Sequence, residues 1–331
     1  MPHSRRDFLA TSAAAVAAAA VGRPLSAFAR QAAQQQAAQP VFTPVRRNVG
    51  TFTMRGGTVG WLVNRGGVAV VDTQFPPEAR TLLEGLQSRS NNRGVTVLLN
   101  THHHGDHTGG NGVFRGVARH VVAHAMAEQH LRRAPGPWPP AQPTQAATPT
   151  QTAPPAAQPA APEMLYPDVT FSHMWTGDVG DERIVARHHG RGHTSGDAVI
   201  TFERANVVHM GDLMFHRRHP VVDRAAGASM RNWARLLEQV TNAHSRDTIY
   251  IFGHAGANLP VIGSSAELLG FRDYLVALLA FVEKQVTAGK SREEVLAMRE
   301  PLAGFETWGP FGQAGARDPL TVAYEEVTTG N

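Results

Sequence analysis

The sequence predicts a domain of mixed α and β structure, class α+β, because three signals alternate along it. Short runs rich in Val, Ile and Leu, such as "GVAVVD" and "VTVLLN", read as buried strands. Segments such as "PPEARTLLEGLQ" and "FRDYLVALLAFVEKQV" repeat apolar residues at helical spacing. Several β-rich runs also end at a Gly-flanked histidine or aspartate, which puts polar chemistry at strand ends, where ligand sites of α/β folds gather. The chain has 331 residues, 42% hydrophobic and 18% charged, enough for a large core.

Taken in order, residues 4–9 read "SRRDFL" and precede an Ala-rich, weakly apolar run from Leu9 to Val21 and a small-x-small site at Ala27-Phe28-Ala29. This resembles a twin-arginine export signal over residues 1–29 and implies passage through the twin-arginine machinery to the periplasm. The apolar run is shorter than the roughly 20 residues of a span, so no stable membrane anchor is expected after cleavage. Cleavage after Ala29 removes Arg5, Arg6, Arg23 and Asp7, a net of two positive charges, and lowers the formal charge from +4 to +2. A near-neutral mature chain gives nucleic acid little to hold. Cysteine is absent, so no disulfide or thiolate ligand exists and any metal is held by nitrogen and oxygen.

Residues 30–40, "RQAAQQQAAQP", form a low-complexity linker, and one domain is expected over 41–331. Thr58 to Val63 and Val68 to Asp72 flank "NRGG" as a hairpin. A helix follows, starting at proline with Ala79, Leu82, Leu83 and Leu86 on one face; "VTVLLN" is the next strand, "RHVVA" another, and "AMAEQHLRR" a helix. The Pro/Ala/Gln-rich stretch at 134–162 cannot pack a core and is expected as an insertion within the domain. Beyond it, "ERIVARHHGRGHTSGDAVITF", "NVVHMGDLMF" and "TIYIFGHAGA" are β-rich, and "NWARLLEQV" is helical. C-terminal helices are expected over 265–300, with Phe271, Leu275, Leu278, Leu279 and Val282 on one face and a capping box from Ser291 to Glu294.

The segment "THHHGDHTGGN", residues 101–111, concentrates imidazole beside glycine and reads as a metal cradle. In an extended loop, His102 and His104 project the same way while Asp106 and His107 swing to a neighbour, a spacing suited to two ions. His193, Asp212 and His254 each follow a strand and sit beside glycine, which makes them the remaining ligand candidates. His216, just past Asp212, is the candidate for a substrate contact. Structural or surface roles are expected for His103, His188, His189, His209 and His219.

With H-x-H-x-D-H at 102–107, Asp72 closing a strand, and His193, Asp212 and His254 following in order, the chain from about Phe42 to Gly256 resembles the metallo-β-lactamase-fold hydrolase superfamily. The resemblance implies a four-layer αβ/βα sandwich with two mixed sheets facing each other between helical layers. It assigns His102, His104 and His193 to one metal and Asp106, His107 and His254 to a second, with Asp212 bridging them. Two Zn2+ per chain are implied, with Fe or Mn as alternatives. Asp72 is expected behind the ligands, orienting an imidazole, or else capping a turn. The implied chemistry is attack by metal-bound hydroxide on a carbonyl-type bond of a small molecule, with Asp106 positioning the nucleophile and relaying its proton.

The aspartate at position 212 is similar to the bridging residue of glyoxalase II-type thioesterases and lactonases, where many true lactamases carry Cys or Ser. Lactone, thioester, ester and amide cleavage therefore lead, and β-lactam hydrolysis is the alternative. The tail lacks the basic cluster with which glyoxalase II binds glutathione. An iron redox enzyme or a non-catalytic metal-binding accessory protein are further alternatives; the first lacks the flavin domain of flavo-diiron proteins, and no ligand substitution points to the second.

Overall fold

The structure is a computed structural model that describes residues 39–133 and 163–330. The signal at 1–29, nearly all of the linker and the insertion at 134–162 lie outside the described residues. No helix among the described residues is long and apolar enough to cross a membrane.

The first sheet has seven strands in sequence order: β1 (Val41–Arg46), β2 (Val49–Thr53), β3 (Val59–Asn64), β4 (Gly67–Val71), β5 (Val97–Leu99), β6 (Val121–His124) and β7 (Val169–Phe171). Strands β1 to β4 form an antiparallel meander, and β4 to β7 are parallel. The second sheet is built from β8 (Met174–Val179), β9 (Glu182–Arg187), β10 (Val199–Phe202) and β11 (Val207–His209). It continues through a parallel β13 (Ile249–Ile251) to an antiparallel β15 (Ile262–Gly263). A two-stranded ribbon pairs β12 (Phe215–His216) with β14 (His254–Ala255), setting Phe215 opposite His254.

Parallel pairs require crossovers, and helices supply them: α1 (Pro76–Ser90) links β4 to β5, and α4 (Met230–Ala243) leads from the second sheet's β11 region to β13. The short α2 (Gly105–Thr108) and α3 (Ala125–Arg133) lie between them in the chain. Side-chain alternation then decides the layers. Along β4, Val68 and Val70 join Ala79, Leu82 and Leu86 of α1, while Ala69 and Val71 join Ile184, Ile200 and Val207 of the facing sheet. On the second sheet Val208 and Tyr250 turn outward to Trp233 and Leu237 of α4 and to α5 (Ser265–Thr287). The result is helix, sheet, sheet, helix, the expected sandwich with two mixed sheets.

All five apolar residues expected on one face of α5 are buried, and its start is fixed by a capping box between Ser264 and Glu267. The Ser291–Glu294 box is present at α6 (Arg292–Leu296). A third C-terminal helix, α7 (Pro319–Thr329), follows a Gly-rich stretch that hides it from apolar periodicity, although Asp318 caps it and Pro319 opens it. Its Glu326 is fully buried and accepts from Met230 N (2.8 Å) and Arg231 N (2.9 Å), so the end of the chain caps the start of α4. Strands β1, β2, β7 and β8 were also not foreseen; the exposure of β1 and β8 gives them little apolar signature. The single run "ERIVARHHGRGHTSGDAVITF" is two strands, β9 and β10, joined by the loop that carries His193.

Candidate metal centre

Strand β5 ends at Leu99 and delivers Thr101 to His104 to the open edge of the sandwich. The segment does not stay extended: α2 turns the chain so that His107 N and Thr108 Oγ1 both donate to His104 O at 3.0 Å. This turn separates the histidines. His102, His104, His193 and Asp212 form one cluster, and Asp106, His107 and His254 form another.

Asp212 stands between them with one oxygen on each side. Its Oδ2 is 3.9 Å from His102 Nε2 and 3.6 Å from His193 Nε2, and its Oδ1 is 2.9 Å from His107 Nε2 and 3.3 Å from His254 Nε2. Asp106 Oδ2 completes the second group at 3.2 Å from His254 Nε2 and 3.8 Å from His107 Nε2. Two glycines permit this crowding. A Cβ on Gly253 would strike Asp212 Oδ1, and one on Gly57 would strike the His107 ring.

The outward ring nitrogens define what the inward ones are. His107 Nδ1 donates to Asp72 Oδ2 (2.8 Å), His193 Nδ1 to Val221 O (2.7 Å) and His104 Nε2 to Asp223 Oδ2 (2.8 Å). His102 Nδ1 contacts Thr101 Oγ1 (3.1 Å), which itself donates to Asp72 Oδ2 (2.7 Å). With the outward N–H so assigned from the network, the inward atoms of the first cluster are lone pairs facing lone pairs: His104 Nδ1 and His193 Nε2 stand 2.9 Å apart. His102 Nε2 is buried and makes no hydrogen bond.

Only a cation satisfies such a set. Four ligands at about 2.0–2.2 Å in a tetrahedron lie about 3.3–3.6 Å apart, and the separations around Asp212 bracket that span. The residues therefore fit metal ions. A third group, His103, His104 and Asp223, also lies close together. Its carboxylate oxygen already accepts from His104 and from Arg317 Nη2, each at 2.8 Å, so it is a hydrogen-bonded arrangement rather than a site for a cation.

The charges respond to the same demand. Burial opposes charge on His107, but Asp212, Asp106 and Asp72 overcome it and hold the imidazole well above its ordinary value; His254 is likewise raised, chiefly by Asp212. Burial also opposes ionisation of Asp106, yet His107 and His254 bring it down to about 2. Asp212 is held well below the carboxylate range, mainly by His254 and His107 acting against burial. In the first cluster, burial and neighbouring imidazoles keep His102 and His193 neutral, His193 at about 3.

Asp72 does not cap a turn. It is fully buried, has a left-handed backbone (φ 66°), and accepts from His107, Thr101 Oγ1 and Thr101 N (2.8 Å). His103 sits beside the first cluster with its ring against His130. His216 does not line the cavity onto the clusters: its Nδ1 donates to Pro260 O and its ring packs on Phe252. Its near neighbour Arg218 instead lines the cavity of about 340 Å³ that opens onto the clusters, with Phe75, Phe215, Val221 and Arg317. A larger hollow of about 790 Å³ lies by the β3–β4 turn at Arg65, Arg89 and Arg93 and includes none of the clustered residues. His188, His209 and His219 bond to Asp197 O, Thr58 O and Tyr274 Oη. Sequence reasoning missed Thr101, Asp223, Arg218 and Arg317; none carries a local signal beyond being polar.

A profile of the metallo-beta-lactamase superfamily matches residues 53–301, and one of twin-arginine translocation pathway signal sequences matches residues 2–22. Among solved structures, a metallo-beta-lactamase from Pontibacter korlensis is similar at TM-score 0.53 and 18% identity, over 72% of this chain and 99% of that one. The DIM-1 metallo-beta-lactamase gives 0.55 and 16%, over 72% and 98%. The IND-7 enzyme gives 0.52 and 19%, over 71% and 98%. At these identities the likeness is one of fold. No curated protein matches the sequence.

Proposed function

Because the chain belongs to the metallo-β-lactamase superfamily, we propose that it is an exported dinuclear-metal hydrolase cleaving a carbonyl-type bond: a lactone, thioester, ester or amide. The observation that carries this reading is the division of Asp212, whose two oxygens face two separate histidine sets. His102, His104 and His193 would hold one ion, Asp106, His107 and His254 the other, and Asp212 would bridge. The all-nitrogen and oxygen donor set suits zinc, with iron or manganese as competitors. The signal sequence directs export across the cytoplasmic membrane, and the periplasm is the compartment proposed for the mature protein.

Divalent ions there supply Lewis acidity toward a carbonyl and lower the pKa of water to about 7. The chain supplies the rest. Asp106 lines the cavity and is a carboxylate at neutral pH, so it accepts a proton from attacking water and returns it to the leaving group. Its Oδ2 lies 3.2 Å from His254 Nε2, so both would meet the second ion. Phe75, Phe215 and Val221 give the substrate an apolar wall, while Arg218 offers a cation to a polar group. A small molecule fits this volume.

Asp212, in place of the Cys or Ser of many lactamases, favours general carbonyl hydrolysis over β-lactam cleavage. Elemental analysis of the mature protein beside a panel of lactones, thioesters, esters, amides and β-lactams tests the proposal. Two ions per chain, with turnover lost in His104→Ala and Asp212→Ala, is the expected result. One ion or none after reconstitution would overturn the bridging role, and iron with no hydrolysis would replace the reading by redox chemistry.

A further inference from the structure

A strap, residues 221–223, lies against the first metal cluster. Val221 O accepts from His193 Nδ1 (2.7 Å), and Asp223 N donates to His193 O (3.2 Å). Asp223 Oδ2 accepts from His104 Nε2 (2.8 Å). Two of the three imidazoles of the first cluster thus take their orientation from three consecutive residues.

The strap is itself held from the far end of the chain, at Arg317. Val222 N donates to Arg317 O (3.1 Å), and Arg317 Nη2 pairs with Asp223 Oδ2 (2.8 Å), the same oxygen that meets His104. Asp223 is only 1% exposed and spends its other oxygen on Ala226 N (3.1 Å). Arg317 is fixed in turn by its neighbour Asp318, which caps α7 and pairs with Arg299 (3.1 Å). In the second cluster His107 is backed instead by Asp72 from β4's end.

From this arrangement the structure assigns Arg317 as a positioning residue for the first metal half-site: it neutralises and orients Asp223, which fixes the tautomer and direction of His104. The inference rests on the two-metal reading. Outer partners of ligating histidines typically contribute about 10- to 100-fold to metal affinity. That effect is expected at one half-site only.

The test uses the mature full-length chain, stripped of metal and titrated with Co2+ against a chelator. Ligand-field absorption reports each half-site, and the melting temperature of the metal-free protein reports the fold. In Arg317→Met, one of the two ions binds about 10- to 100-fold more weakly, the other binds as in wild type, and metal-free melting stays put. Arg317→Lys, which keeps the cation, recovers part of the loss. Combined with His254→Ala the defect persists, and combined with His193→Ala it disappears.

Unchanged affinity for both ions in Arg317→Met would overturn the inference. So would equal weakening of both half-sites with a lower melting temperature, since that marks a purely structural role. A wild-type chain that binds fewer than two ions would sink the two-metal reading, and the affinity of Arg317→Met for the remaining ion would still decide on Arg317: reduced affinity supports the role, and unchanged affinity refutes it.

Discussion

Replacing Asp72 by asparagine separates charge and hydrogen bonding from shape. The carboxylate accepts three buried hydrogen bonds: Thr101 N on Oδ1, and Thr101 Oγ1 and His107 Nδ1 on Oδ2, all at 2.7–2.8 Å. Asparagine tolerates the left-handed backbone at φ 66°, so the chain path is kept. Its amide fails at one side or the other. With the carbonyl in the Oδ2 position, its NH2 meets the Thr101 N–H; turned over, it meets His107 Nδ1 and drives the imidazole into the wrong tautomer. Either outcome removes charge-assisted bonds of about 1.5–3 kcal/mol each. Because Asp72 backs His107 directly and His102 through Thr101, both half-sites weaken, by about 10- to 100-fold, or about 1.4–2.8 kcal/mol. Chelator competition at fixed pH measures this, with His107 expected to show the larger loss. Wild-type affinity in Asp72→Asn would refute the argument that outward nitrogens program the inward ones.

Gly57→Ala should abolish the second half-site while leaving the first, because the added methyl occupies the His107 ring position at a backbone that otherwise accepts alanine; two retained ions by elemental analysis would contradict it. Metal uptake near neutral pH should release protons from His107 and His254, whose values are raised in the metal-free fold. These two groups stabilise that fold fully below about 6.5, the unfolded value, and the contribution is lost as pH rises through their higher folded values. Affinity therefore climbs with pH, and calorimetry in buffers of different ionisation enthalpy should detect the protons; their absence would count against the raised values. Glu326→Ala strips acceptors from the buried start of α4 and should cost about 2–4 kcal/mol in denaturant unfolding; a change under about 1 kcal/mol would show that the cap is dispensable.

The candidate ligands were legible because each stands in H-x-H-x-D-H or beside glycine at a strand end, so a local pattern carries a tertiary fact. Strand β4 was legible for a similar reason: Val68 to Val71 are buried on both faces, which produces an unbroken apolar run, whereas the sandwich was implied by the family resemblance. What supports the ligands was not legible. Asp223 meets His104 across 119 positions, and nothing in "PVVDRAAG" distinguishes it from any loop aspartate. His216 misled through proximity in sequence, since strand alternation within β12 sends Phe215 toward His254 and His216 toward Phe252. Helix α7 was missed because its buried face, Leu320, Val322 and Ala323, is interrupted by Thr321, whose hydroxyl is spent on Asp318.

Charge balance links the supporting residues to the number of ions. Asp106 and Asp212 stand among the clustered lone pairs, and Asp72 and Asp223 stand directly behind His107 and His104. With Asp223 offset by Arg317, the three remaining carboxylates exceed the charge of one divalent cation and leave room for a second. Arg317 pairs with Asp223 at 2.8 Å. In the metal-free fold the deficit falls on His107 and His254, which is why protons gather in the second cluster while His102 and His193 stay neutral. A second ion bound there would compete with these protons for one place. A preparation holding a single ion should keep it in the first cluster at low pH and gain the second as pH rises.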